Sequence, residues 1–290
     1  MTLGRTLIRL ANWGLAPMRL RIESRTLETR EQNRILEAIS RGDFDNPIYP
    51  VPECFHSPSF KDIISELPKY ADRFATFCDK TRNDVGFEYD NGFFSSPDAE
   101  VLYTLVRKVR PPRIVEIGCG HSTKVIRQAI LDGKFECRHT CIDPQPRRDI
   151  SGSADQIVPC AIESCDPHEI AAELTQGDIL FIDTSHELAP ANDVAFIYAR
   201  LLPLIRPGVL IHIHDIFLPY EYPIEWVRDL RLSWSEQYLV QVMLMVKNYW
   251  DAVWPGHYLQ RTLPTFKTHF RYEQGRRAQS LWMTRKEQVL

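Results

Sequence analysis

The sequence predicts an α/β protein: a doubly wound, mostly parallel seven-stranded sheet with an antiparallel final hairpin, preceded by an N-terminal helical extension. Three observations predict it. From residue 113 onward, short apolar runs alternate with helical patterns, as expected where helices connect parallel strands. The first run, "RIVEIGCGHSTKVIRQAI" (113–130), passes through a Gly-x-Gly turn into a helix. The last two apolar runs, "YLVQVMLMV" (238–246) and "QSLWMTR" (279–285), have no convincing helix between them and read as a paired edge.

Taken in order, residues 1–40 read as helical and Arg-rich, with one amphipathic piece at 3–10 and another at 26–39. Their two readings are contact with a membrane surface or partner protein, and packing on the chain's own domain; packing is preferred. Residues 42–60 carry four prolines and form an extended linker, and 61–80 are helical again,. This gives an extension with a Pro-rich linker at 1–85 and a sheet domain at 86–290. Within the latter, 97–109 is a helix with Asp98 near its start and Arg107 and Lys108 near its end, which suits the helix dipole,. Strands follow at 113–117, 138–142, 156–162, 178–182 and 208–214, with helices at 122–132, 167–175 and 190–204. A further helix is expected at 223–235. The stretch 247–278 is a long loop, and long loops are often functional.

The 290 residues are 44% hydrophobic with a net charge of -3, which suits a globular chain with no global field for nucleic acid,. A small-molecule partner is therefore expected. No apolar run is long enough to span a bilayer, and there is no secretory signal pattern. The seven cysteines are odd in number and lack C-x-x-C spacing. That argues against a disulfide framework or structural zinc, and for reduced thiols in a cytoplasmic protein. A homo-oligomer is compatible with the sequence.

Gly118 and Gly120 end the first strand and let the backbone turn sharply against a ligand,. A dinucleotide fingerprint needs a small third residue at position 123, where this chain has Thr123,. That weakens a nicotinamide-dependent oxidoreductase, one rival reading. Glu116 beside the turn would repel a pyrophosphate but suit an ammonium. Asp143, in "CIDP", ends the second strand, where an acid accepts from ribose hydroxyls,. A nucleoside with an amino-acid tail and no phosphate fits both: S-adenosylmethionine. The plainer alternatives are a capping or salt-bridging Glu116 and an Asp143 that caps the turn before Pro144.

"VEIGCGHST", "CIDP" and "DILFIDTSH" together resemble the motifs of class I S-adenosylmethionine-dependent methyltransferases, which have a Rossmann-like fold. The resemblance covers roughly residues 86–290. It implies that Glu116, Gly118 and Gly120 flank the methionine moiety, that Asp143 holds the ribose, and that His121, Ser122 and Asp183 also reach the cofactor. Small-molecule O-methyltransferases are nearest in pattern.

Reaction sites in such sheets lie beyond the carboxyl ends of the strands. There the sequence places Asp183 and His186 after the fourth strand, and His212, His214 and Asp215 at the fifth. His186 and His214 are the expected general bases, oriented by Asp183 and Asp215; His212 is expected in the core. Catechol-type members of the family hold a divalent metal at these strand ends. The resemblance makes Asp183, His214 and Asp215 possible ligands for Mg²⁺ or Mn²⁺, although a metal-free cluster is preferred. Tyr220, Tyr222 and Trp226 are expected to line an acceptor pocket, or else to pack the next helix on the sheet. Asp193 either faces the site or serves its own helix start, and Phe93 and Phe94 either cover the cofactor or belong to the core. The reading is methyl transfer to a small-molecule or glycan-like acceptor, on oxygen. A catalytically silent scaffold of the same fold is the other rival.

Overall fold

The computed structural model describes residues 3–19, 22, 26–146 and 149–287. Its strands are β1 (Arg113–Ile117), β2 (Arg138–Ile142), β3 (Gln156–Val158), β4 (Ile179–Ile182), β5 (Leu210–Ile213), β6 (Trp250–Pro255) and β7 (Leu281–Arg285). They form one sheet in the order β3-β2-β1-β4-β5-β7-β6. Strands β1 to β5 are parallel, and β7 runs antiparallel to both β5 and β6. The strand order therefore reverses between β1 and β4. Their carboxyl ends flank the crevice where open α/β sheets bind ligands.

In chain order the helices are α1 (Leu3–Leu15), α2 (Thr26–Arg41), α3 (Phe60–Glu66), α4 (Ala71–Thr76), α5 (Asp98–Val109), α6 (His121–Gly133), α7 (Pro167–Glu173), α8 (Asp193–Phe196), α9 (Ile224–Arg228), α10 (Glu236–Leu244), α11 (Gly256–Thr262) and α12 (Phe266–His269). Their ends follow local chemistry. Helix α5 has Asp98 and Glu100 in its first turn and stops at left-handed Arg110, before two prolines,. Helix α7 begins with Pro167 behind Asp166, whose carboxylate accepts from the His168 N–H,. Helix α8 is capped by Asn192 and runs on through a π turn at Ile197–Leu201.

Alternation along the strands divides the core into two layers. Ile114, Phe181 and Leu210 face one layer with Val101, Val125, Trp254 and Trp282. Val115, Ile117, Leu180, Ile182, Ile211 and Ile213 face the other, with Ile197 and Leu201. Glu116 and His212 share the first face by the same alternation.

The final hairpin exists, but its first strand is not the one expected. Residues 238–246 fall largely within α10, and β6 lies inside the stretch read as a loop. The buried positions of α10 are Glu236, Gln237, Val240, Gln241 and Leu244, a helical spacing, while Val242 and Met245 are exposed. Apolar residues on both faces masked that period. In β6, Trp250, Ala252 and Trp254 are buried alternately, as a strand requires. The helix expected at 223–235 is limited to α9, and the strand expected at 156–162 to β3.

By packing, the chain divides into Met1–Asn46 with Tyr222–Leu232, and Pro47–Glu221 with Ser233–Leu290. Residues 47–85, read from sequence with the extension, thus belong to the larger unit, where Phe55, Ile63, Leu67, Phe74 and Phe77 are buried. In the smaller unit α2 contacts α9, and the Asn12 carboxamide bonds both the N–H and the carbonyl of Ile22 at 2.6 and 2.9 Å. Among the described residues, no helix is long and apolar enough to cross a membrane.

Trp282 is fully buried and pairs with His212 on β5 and Trp254 on β6. Trp282→Ala is expected to cost roughly 3–5 kcal/mol, read as a lower urea midpoint; an unchanged midpoint would show that the final hairpin is not part of the cooperative core.

Candidate functional site

The turn after β1 has one conformation that only glycine fills. Gly118 has φ +81°, and a Cβ there would lie 1.7 Å from the Asp183 carbonyl oxygen. The Gly118 N–H donates to the Ile142 carbonyl and the Asp183 N–H to that of Ile117, at 3.0 and 2.9 Å. The turn is thereby fastened between the ends of β2 and β4. A Cβ at Gly120 would meet nothing within 4 Å, so that side of the turn is open. Thr123 accepts the Gly120 N–H at 3.0 Å. Asp143, half-buried, accepts from the N–H groups of Cys119 and Gln145 at 2.9 and 2.7 Å, one on each oxygen. This is the capping role, and each oxygen still has a second lone pair for a ligand hydroxyl. His121 opens α6 half-buried, with the Phe93 ring stacked 6.3 Å from its own. Phe93 is exposed, whereas Phe94 is buried against Phe181 and His214.

Glu116 and Ser122 lie elsewhere than on the open side. The Glu116 carboxylate is fully enclosed. It accepts from the Ser122 hydroxyl at 2.6 Å, the His139 Nε2 at 2.8 Å and the Cys141 thiol at 3.3 Å. Both side chains brace the turn from within the core, so neither presents itself to a methionine moiety as the resemblance implied. Burial pushes the His139 imidazole down, but its hydrogen bonds to Cys141 and Glu116, with the Glu116 charge, carry it up to about 9.

The second cluster forms at the ends of β4 and β5. His186 and Asp215 both have left-handed backbones, at φ +60° and +56°, uncommon for residues with side chains,. His186 Nε2 lies 3.2 Å from Asp183 and 3.3 Å from Asp215, and its Nδ1 lies 2.8 Å from Glu236. Burial opposes a charge on His186, but bonds to Asp183 and Glu236 and the Asp215 charge hold it protonated well above the usual range. An imidazolium donates two protons and accepts none, and both ring nitrogens of His186 already face acids. Burial likewise opposes ionisation of Asp183, yet the neighbouring imidazoles of His214 and His186, with the His186 bond, bring it down to about 2. Asp215 is pushed up by burial and accepts from the Gln279 carboxamide at 2.5 Å. Gln279 is itself placed by Asp98, which accepts from the N–H groups of Gln279 and Ser280, both at 3.0 Å. His214 is buried, with its Nε2 4.0 Å from Asp215 and neither ring nitrogen hydrogen-bonded. His212 is a core residue, as expected: it stacks on Phe181 at 3.8 Å and bonds Ser280.

Asp183, His186 and Asp215 bring their donor atoms within 4.8 Å of one another and can hold a metal ion. The histidine in that set is His186, not the expected His214. Glu116, Cys119 and Cys141 form a second such group, but its carboxylate already serves His139 and Ser122. Asp193 accepts from the Ser185 N–H and hydroxyl at 2.8 and 2.7 Å, and so shapes the loop after β4.

The aromatic trio is not gathered within one unit. Tyr220 is in the larger unit, its ring 5.5 Å from His257 and 4.6 Å from the Arg261 guanidinium carbon. Tyr222 and Trp226 belong to the smaller unit. Glu236 escaped the sequence reading because the neighbouring run was read as a strand; the Ser235-Glu236 pair at a helix start was the available signal,.

Residues 115–216 match the family model of a methyltransferase domain. That span holds the glycine turn, Asp143, Asp183, His186, His214 and Asp215. No curated protein matches the chain. Among solved structures, an SAH-bound Podospora anserina methyltransferase, PaMTH1, is 15% identical, covering 92% of this chain and 100% of its own, with a TM-score of 0.43. An SAH-bound Bacillus cereus O-methyltransferase is 14% identical over 86% and 97%, with a TM-score of 0.38. The plantazolicin methyltransferase BamL, in complex with SAH and a desmethyl-plantazolicin analogue, is 17% identical over 78% and 99%, with a TM-score of 0.39. The family match and the sheet order bear out the resemblance read from the motifs.

The raised His139 predicts a pH effect. Its folded value of about 9 exceeds the ordinary 6.5, so its stabilisation is complete below about pH 6.5 and is lost as pH climbs towards 9,. The Tm gap between wild type and His139→Gln is expected to be about 4 °C or more at pH 6.5 and to shrink by pH 9; a constant gap would refute the charged pair.

Proposed function

We propose that this chain, with a methyltransferase-domain match and the class I methyltransferase sheet order, is an S-adenosylmethionine-dependent methyltransferase. We infer that its acceptor is a small molecule or glycan-like compound, methylated on oxygen. The observation that carries the reading is the turn after β1: a glycine that must be glycine, an open face at Gly120, and an acid at the next strand end. Gly118, Gly120 and Asp143 would hold the cofactor, with Asp143 taking the ribose hydroxyls through its remaining lone pairs. When bound, S-adenosylmethionine supplies a methyl group on a sulfonium, open to in-line displacement.

The chain's own residues then have a proton to remove from the acceptor hydroxyl. His214 is the base the geometry favours, because its ring nitrogens carry no hydrogen bond and it faces Asp215,. His186, held as an imidazolium, ties Asp183, Asp215 and Glu236 into a fixed frame. Asp183 is the most open of these acids, with 31% of its side chain exposed, and supports acceptor orientation. A neutral acceptor hydroxyl suits this arrangement, since a base is present to receive its proton.

One observation favours a second reading, in which Asp183, His186 and Asp215 would hold a divalent ion, which would supply Lewis-acid activation of the acceptor hydroxyl,. Glu236 on Nδ1 fixes the tautomer that leaves Nε2 as a ligand, the usual support for a metal-bound histidine,. Mg²⁺ or Mn²⁺ would suit the oxygen-rich set.

Titration calorimetry tests the cofactor. Micromolar binding of S-adenosylmethionine or its demethylated product is expected, with no NADH binding and roughly tenfold or greater weakening in Asp143→Ala. No binding of either ligand, with or without Mg²⁺ or Mn²⁺, would overturn the reading. In a screen of hydroxylated sugars and phenols, His214→Ala is expected to lower kcat by about a hundredfold while cofactor binding persists; undiminished turnover would remove His214 as the base. Activity abolished by chelation and restored by Mn²⁺ would favour the metal reading.

A further inference from the structure

We propose that α1 is a surface-binding helix that lays its apolar face on an anionic lipid bilayer. Leu7, Leu10 and Trp13 recur at intervals of three and so share one side of the helix,. All three are exposed, Trp13 by 84% and Leu10 by 64%, and Met18 and Ile22 beyond the helix are exposed as well. The helix has a separate inner side, where Ile8, Asn12 and Leu15 are partly covered. Its outer apolar side is therefore additional to what packing uses.

The charge pattern selects the occupant. Residues 1–22 contain Arg5, Arg9, Arg19 and Arg21 and no acid, in a chain whose net charge is -3. By helical position Arg5 and Arg9 are one turn apart and border the apolar side, Arg9 being one turn before Trp13,. An apolar side with tryptophan, bordered by arginines, is the pattern of helices lying in the headgroup layer, where long basic side chains extend to the headgroups. An anionic surface attracts this segment, while a second copy would bring like charges together. A short α-helix of this kind lies on the bilayer and does not cross it.

Flotation of the full chain with vesicles tests the proposal. With phosphatidylcholine vesicles containing phosphatidylglycerol, the chain is expected to float, and high salt is expected to reduce recovery. With phosphatidylcholine alone, recovery is expected to be about tenfold lower. Leu10→Glu with Trp13→Glu should abolish flotation, and Arg5→Glu with Arg9→Glu should remove the preference for anionic vesicles. Thermal melts check that the substitutions leave the fold intact. Failure to float with anionic vesicles, or flotation untouched by the Leu10 and Trp13 changes, would overturn the proposal. So would a wild-type dimer in light scattering that the same two changes convert to monomer, since the face would then belong to a second copy.

Discussion

The close approach of Gly118 to the Asp183 carbonyl is the constraint on which the site depends. It joins the first and fourth strands where the sheet reverses its order. With a Cβ at 1.7 Å from that oxygen, the turn and the loop after β4 would have to part. Everything at the carboxyl ends is hung from this contact. On one side the turn leads into α6 and is closed by Thr123 and Asp143. On the other, the chain leaving Asp183 reaches His186 in three residues. The residue that weakens a dinucleotide reading, Thr123, is the one that ties down the Gly120 N–H.

Charge organises the rest. His186 sits among Asp183, Asp215 and Glu236, three acids on three separate elements. Without a cation at their centre these carboxylates would repel one another in a poorly solvated space. A proton on the imidazole supplies that cation, and so would a metal at Nε2. The same logic recurs beneath the turn, where Glu116 and His139 form a buried pair. Both imidazoles are held protonated by the acids that surround them. His214 stands apart because no hydrogen bond occupies its ring.

Most of the sheet was legible because parallel strands separated by helices leave a strong alternation of patterns. The glycine turn, Asp143, Asp183 and the histidine strand were legible because strand ends fix which residues reach the crevice. Three things were not. The run at 238–246 is apolar on both faces of a helix, so its composition resembled a strand. Its misreading hid Glu236 and displaced the sixth strand. The direction of Glu116 was also hidden, since sequence locates a carboxylate near a turn but not the partners that enclose it. Finally, nothing in a linear pattern says which of two histidines gains acidic neighbours; His186 did so through a left-handed residue and a helix fifty positions away.

Asp98, at the start of α5, accepts the backbone N–H groups of Gln279 and Ser280, and the Gln279 carboxamide reaches Asp215. A residue near the beginning of the sheet domain therefore sets one near its end, which in turn sets an acid of the central cluster. The chain emerges from the ribosome N-terminus first. Strands β1 to β5 can be synthesised in full while Asp215 still lacks its partner. Asp215 gains its Gln279 bond only once the segment before β7 has been made, so a nascent chain that has already formed β1 to β5 still holds this acid unbraced.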